Sequence, residues 1–463
     1  MAGRRTAISM GSVALARADG EGLRTRAHVP LDPALAVGVL AALGMGVLAA
    51  YSAALAAVPA LVLLAGLAVV RFGRMGLLQL LLACLPWMLV FDSLLPPLTR
   101  TFTTAAAAIA LLAVVAPLRF NDWPVPVGAA LFSAIVVGRA TVAESGDELV
   151  EAAKLLIFPA VALAVTSSRG RELLPQTRTL VLASSLAALA VHLGVLAAGL
   201  GDVGTKYGIG EKFGFTREIY HEFPLFGVIV AAAGMASTRR ISVQVAFFSL
   251  GVVPAALSGV RSGVVAALFV LIVFIWRSRL SLRTVALVGC VIVMAVASGA
   301  TSTISARLDR ESGEFSSIDR VGSGRGLIWR VAIKHWADSG PLGWLLGTGL
   351  NTVDRFELED IGFALIGHSD VITVGVQLGI LGLLAWLLIW LGLIRAQLRG
   401  LVLLPIGIFA VINGASEYVA PLTVGLVLAA ALSARPEEAG VPRSRAEPGP
   451  RVAALPPRQV SRA

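Results

Sequence analysis

Few residues in this chain could do chemistry, and the sharpest is Arg261. It stands in the string ALSGVRSGVVAAL, and it is the single charge in the 36-residue stretch 241–276. As helix that stretch would run roughly 54 Å, well beyond one bilayer crossing. It is predicted to form two helices, broken at Ser258–Gly263. An arginine at bilayer depth costs about 2.5–3.5 kcal/mol on insertion scales. Two readings fit it. It is a turn arginine that snorkels to the headgroups, or a cation holding an anionic ligand that the small neighbours Ser258, Gly259, Ser262 and Gly263 let approach.

The second concentration of chemistry is the polar segment 305–370, which lies between the apolar runs 284–300 and 371–394. Within it, residues 324–338 read as an amphipathic helix with Ser323 as N-cap and Gly340-Pro341 as stop. Leu327, Ile328, Val331, Ala332 and Trp336 recur at helical spacing, to lie on the membrane or to cover the loop's own core. Arg325, Arg330 and Lys334 are either a solvated face or a surface for an anionic lipid substrate. His368 precedes a helix expected to begin near Asp370. A histidine at the mouth of a span can act as a general base near neutral pH, and the helix N-terminus favours anions. His335 and His221 compete for the same role. His368-Ser369-Asp370 are adjacent, so their spacing is not that of a hydrolase triad.

Other chemistries lack a motif. There is no glycine-rich nucleotide loop in strand–helix context, no HExxH, no paired cysteines and no Asp-rich metal motif. No cofactor is therefore expected. Cys84 and Cys290 both lie in apolar runs and are expected to be buried packing residues.

The elements that must position these residues are membrane spans. The 463 residues are 57% hydrophobic and 14% charged, with mean hydropathy +0.85; soluble domains carry about 25% charged residues. The fold class predicted is all-α, a polytopic transmembrane bundle of about 12–14 spans with one large extracytoplasmic loop containing amphipathic helices. Residues 1–33 form a basic cytoplasmic arm, 34–434 the transmembrane domain containing the 305–370 loop, and 435–463 a Pro/Arg-rich disordered cytoplasmic tail. In the acidic run 139–151, Glu148 and Glu151 stand beside Lys154 at helical spacing, which suggests an interfacial helix entering the membrane ahead of the sixth span at 155–165, its charges a solvated face. Residues 201–222 are expected to be a polar loop, and His192 a packed or snorkelling histidine. With the N-terminus inside, the cytoplasmic ends collect 24 of the 38 Lys+Arg but 8 of the 28 Asp+Glu, leaving 14 and 20 outside. This is the positive-inside asymmetry, so the +10 net charge reports topology and not nucleic-acid binding. Both termini are expected in the cytoplasm. No cleavable signal peptide is evident. Arginine over lysine, with abundant alanine, valine and glycine, matches a high-G+C bacterial genome.

The strings GRGLIWRVAIKHWADSGPLGWLLGTGLNTV and GHSDVITVGVQLGILGLLAWLLIW resemble the O-antigen ligase/polymerase superfamily. The shared pattern is an Arg, a Trp-containing amphipathic helix, Pro-x-x-Gly, Gly-x-Gly, and a His at the mouth of a span. ALSGVRSGVVAAL and FGFTREIYHEFPLFGVIVAA resemble its arginine-bearing hairpin and span entry, and the resemblance covers roughly 205–395. It implies metal-independent glycosyl transfer from a polyprenyl-diphosphate-linked oligosaccharide at the outer face of the bacterial cytoplasmic membrane, by a polysaccharide polymerase or ligase. It also implies that His368 activates the acceptor hydroxyl, that Arg261 and Arg217 hold the diphosphate, and that Arg325 sits beside them. The sequence departs from the pattern at His368-Ser369, often His-Asn, at Ser262, often Gly, and around Arg217, which lacks a clean Asn-Pro-Asn. Expected partners are the lipid-linked glycan, the bilayer and other polysaccharide-export proteins, with no nucleic acid. Competing readings are a lipid-linked oligosaccharide flippase, and a peptidoglycan-type glycosyltransferase using an acid among Glu357, Glu359 and Asp360.

Overall fold

The computed structural model describes residues 73–89, 97–197, 202–205, 211–214, 222–258, 260–278, 325–353, 355–356 and 369–433. The expected arm at 1–33, the spans at 34–70 and 284–300, the loop stretch 305–324 and the tail at 435–463 lie outside them.

The fold is an all-α helical bundle of membrane-protein type. Helix α1 covers 73–84 and runs into a 3-10 turn at Leu85–Trp87. Then follow α2 (Pro97–Val115), α3 (Pro124–Ala140), α4 (Gly146–Thr166), the short α5 (Ser168–Leu173) and α6 (Arg178–Ala197). After a hairpin come α7 (Glu222–Ser237), α8 (Ile241–Ser258) and α9 (Arg261–Ser278). The loop contributes α10 (Arg325–Asp338) and α11 (Gly340–Leu346), and α12 (Asp370–Arg395), α13 (Gly400–Ile412) and α14 (Val419–Ala431) close the described chain. Among the described residues, three helical segments are long and apolar enough to cross a membrane: Gly146–Thr166, Ser168–Gly194 (from α5 into α6) and Asp370–Arg395. Shorter apolar helices run alongside them.

Burial explains the layering. All of α14 and nearly all of α7 are buried, so these helices form the centre of the bundle. The outer helices turn large apolar side chains outward. On α9, Val264, Leu268 and Ile272 make such a stripe, and on α12 Ile380, Leu384, Leu387 and Leu391 make another. An apolar outside at helical spacing is what a hydrocarbon solvent allows and water does not. Helices approach closely through small residues. A Cβ on Gly128 of α3 would lie 2.8 Å from the Ala385 carbonyl of α12, and one on Gly227 of α7 2.6 Å from the Gly251 carbonyl of α8.

Arginines finish the helices at one end of the bundle. Arg74 and Arg169 both donate to the Ala116 carbonyl, at 2.7 and 2.8 Å, and Arg399 donates through Nε to Leu432 O at 2.8 Å. These residues take helix carbonyls that have no intrahelical partner. The opposite end carries the 325–356 segment and is called the loop end below.

The interfacial helix expected ahead of the sixth span is continuous with it: α4 runs unbroken from Gly146, because Ser145 caps it by accepting from Glu148 N at 3.3 Å. Other sequence expectations change. The 201–222 stretch holds two antiparallel strands, β1 (Asp202–Thr205) and β2 (Glu211–Gly214), with Asp202 opposite Gly214. Strands of four residues are too short to show a period. Cys84 is exposed and not a packing residue. Helix α1 and its turn bury Leu78, Leu82 and Leu85, which puts position 84, some 200° around from 82, on the other side. Cys290 lies outside the described residues. The loop also has a helix not expected from sequence, α11, which starts where Gly340-Pro341 ends α10.

Candidate active site

The site is built around a break. Helix α12 loses helical geometry at Gly379 (φ 71°, ψ −171°). A break strands the carbonyls of the preceding turn, and in a low-dielectric setting each must find a donor. The loop supplies them. Thr348 donates to Val376 O from its backbone N at 2.8 Å and from Oγ1 at 3.0 Å, and Gly349 N donates to Gln377 O at 3.2 Å. The Gly347-Thr348-Gly349 string thus has a physical meaning: it docks backbone against backbone. A Cβ on Gly347 would lie 2.2 Å from Gln377 O, and one on Gly379 would lie 2.4 Å from Leu345 O.

The half-helix 370–378 is held at its other end too. Asp370 is buried, and its carboxylate accepts from Ser416 N at 3.0 Å and Ser416 Oγ at 2.6 Å. Ser416 sits in the 3-10 turn Ala415–Glu417 that joins α13 to α14. In the same turn, Asn413 Nδ2 donates to Tyr418 Oη at 2.9 Å. Lys154, two turns into α4, bridges Glu417 at 2.9 Å and Glu151 at 3.4 Å. Nearer the start of α4, Arg355 of the loop donates to Glu148 at 2.8 Å.

Over this floor lies α10. Ala332 packs on Val353 and Val376, with Trp336, Phe356 and Ile372 around them. The amphipathic helix therefore covers the loop's own core, the second of the two roles open from sequence. Arg330 and Lys334 are on its exposed side. His335 stacks on Phe356 with centroids 4.1 Å apart and planes 7° apart. His192 is buried and stacks on Phe223 at 4.8 Å, which fits the packed reading.

The sequence-predicted site residues are placed unequally. Arg261 is the first residue of α9, after the break expected at 258–263. Its neighbour Ser262 is buried, and a Cβ on Gly263 would lie 2.7 Å from Pro224 Cβ, so α9 begins against the beginning of α7. Arg325 is the first residue of α10. His368 and Arg217 lie outside the described residues, as do His221, Glu357, Glu359 and Asp360. What the structure brings to the loop end is the starts of α4, α7, α9, α12 and α14. A groove of about 750 Å³ between α9, α12 and α13, lined by Phe269, Trp390, Ile394 and Leu403 among others, reaches Arg399 and Ser433 at the far end, away from this cluster.

Sequence reasoning missed most of the polar floor. The solvated face expected for the acidic run does not hold at Glu148 and Glu151: both are buried, each neutralised by a cation, Arg355 and Lys154 respectively. The signal that could have found Glu417 and Asp370 is position alone, since each is a carboxylate wedged between apolar runs, where a charge is costly without a partner. Lys154→Met leaves two carboxylates without this shared cation. Breaking such a pair costs about 3–5 kcal/mol, and the lower end is expected because the Lys154 side chain is 27% exposed. Thermal unfolding in detergent should show the loss, and Glu417→Gln added to Lys154→Met should recover part of it.

These features define a helical membrane protein whose polar loop is clamped onto a broken helix at one end of the bundle. Residues 245–387, which run from α8 through the loop into α12, match the family model described as O-antigen ligase. That segment is thus similar to the O-antigen ligase domain, a likeness that supports ligase/polymerase-type glycosyl transfer at the level of the family. No curated protein matches the chain.

Proposed function

We propose that this protein transfers an oligosaccharide from a polyprenyl diphosphate to a sugar hydroxyl at the outer face of the bacterial cytoplasmic membrane, as a polysaccharide polymerase or ligase. The observation that carries the reading is the family match over 245–387, a segment that holds Arg261 and Arg325 as the first residues of α9 and α10. On this reading the loop end faces outward, the positive-inside charge balance agrees with it, and both termini are cytoplasmic.

The reaction follows from the donor. His368 accepts the proton of the acceptor hydroxyl as its oxygen forms a bond to the anomeric carbon. The bond from that carbon to the diphosphate oxygen breaks, and polyprenyl diphosphate leaves with the electron pair. Arg261, Arg217 and Arg325 stabilise the charge growing on the leaving group. Guanidinium forks bind diphosphate oxygens bidentately, and such preorganised charge is the largest kind of contribution to transfer of this type. The chemistry then needs no metal.

The test is where the substrate accumulates. Cells carrying His368→Ala are expected to make no polymer and to display lipid-linked repeats on the outer leaflet. Accumulation on the inner leaflet would instead mean that the protein is a flippase. Activity lost in Glu359→Ala but kept in His368→Ala would move the base to the acidic stretch.

A further inference from the structure

The loop helix α11 has no buried residue. Leu342, Trp344, Leu345 and Leu346 are exposed by 73, 46, 47 and 37%. Four large apolar side chains on seven residues are costly in water, at about 25 cal/mol per Å² of apolar surface. Neighbouring α10 differs, since its exposed side carries Arg330, Lys334 and Asp338.

Three further observations say what covers this face. The first is depth. The Leu345 carbonyl packs against Gly379, nine residues inside α12, a helix long and apolar enough to span a membrane. The second is continuity. The helices that α11 touches, α12 through Gly379 and α3 through Arg139, carry exposed apolar side chains of their own, Ile380 and Leu384 on α12 and Val137 on α3. The third is the fate of the polar groups. A short helix in water leaves its last carbonyls to solvent, and here protein side chains take those of Gly343 and Leu346. Arg139 Nη2 donates to Leu346 O at 2.7 Å and to Gly347 O at 2.5 Å, and Trp336 Nε1 donates to Gly343 O at 3.1 Å. The indole of Trp344 is also satisfied, by Ala337 O at 2.9 Å. A helix end whose carbonyls draw donors from the protein while its side chains stay apolar and open suits hydrocarbon.

We propose that α11 is seated in the bilayer, its Leu342, Trp344, Leu345 and Leu346 side chains among the lipid acyl chains, with Arg139 as the guanidinium that closes its C-terminus there. The loop is then fixed to the membrane beside the half-helix 370–378 and is not free above it. This rests on the membrane setting of the bundle and is independent of the reaction.

The test uses the full chain in phosphatidylethanolamine/phosphatidylglycerol vesicles, with Cys84 and Cys290 replaced by alanine. A nitroxide is attached at Leu342→Cys or Leu345→Cys, with Leu384→Cys as the lipid-facing control and Lys334→Cys as the water-facing one. Collision with oxygen, which enters hydrocarbon, is compared with collision with a water-soluble nickel chelate. Both loop sites are expected to favour oxygen several-fold, as Leu384→Cys does. Nickel accessibility like that of Lys334→Cys would overturn the proposal. So would an immobilised label shielded from both reagents, which would mean that protein covers the face. The two sites are read separately, so a variant that does not fold leaves the other to decide.

Discussion

Replacing His368 with alanine is expected to lower turnover by about 10²–10⁴-fold, the usual contribution of a positioned general base, while the KM for the lipid-linked donor changes little. A sugar hydroxyl is a weak nucleophile at neutral pH, and its proton must leave as the new bond forms. The diphosphate needs less help of this kind, because its departure is limited by charge and not by a proton. Arg261→Ala should therefore fail differently. It should lose about 10²–10³-fold in turnover, the cost of removing one charge-stabilising donor, and should raise the KM for the donor as well. Arg261→Lys keeps the charge and loses the fork, so it is expected to recover part of the affinity and less of the rate. Steady-state kinetics on purified variants separate the two patterns, provided their melting curves match the wild type. A His368→Ala loss that tracks lowered stability, with no split between turnover and KM, would point to a structural histidine.

Gly379→Leu is the second large effect. At φ 71° a branched or bulky residue is strained, at about 1–3 kcal/mol. The added side chain would also meet Leu345 O at 2.4 Å and Gly347 N at 2.5 Å, both of them backbone atoms that cannot swing aside. Overpacking of this kind costs a further 1–3 kcal/mol or so. The expected result is release of the Gly347-Thr348-Gly349 clamp, visible as faster proteolysis within 339–356 and more than tenfold lower activity, with the remainder of the bundle intact. Gly347→Leu strikes the same contact from the loop side, against Gln377 O at 2.2 Å, and should give the same cleavage pattern. A Gly379→Leu protein as protease-resistant and as active as wild type would show that the clamp does not hold the loop.

The bundle was legible in the sequence because the signal is composition summed over whole helices. The runs around α7, α8, α9 and α12 are long, apolar and separated by arginines, and the break at 258–263 followed from length alone. The amphipathic period of α10 placed Ile328, Val331 and Ala332 correctly on its buried side. Pairing between distant segments was not legible. Glu148 and Glu151 next to Lys154 look the same in sequence whether they face water or meet Arg355 and Glu417 from more than 200 residues away. The break at Gly379 hid in GVQLGILGLL, where each glycine is as good a candidate as the next. What selects Gly379 is the Leu345 carbonyl lying against it. α11 escaped because seven residues cannot show a helical period, and its meaning lies in Arg139, a residue from the other half of the chain.

The measurement that bears most directly on the account is transfer by purified protein in vesicles, supplied with a polyprenyl-diphosphate-linked oligosaccharide on the loop-end side and held in excess chelator. The account predicts elongated glycan together with an equal amount of released polyprenyl diphosphate, and neither product from the His368→Ala protein. Translocation of intact donor across the bilayer with no diphosphate released, or transfer that stops when chelator is added, would contradict it.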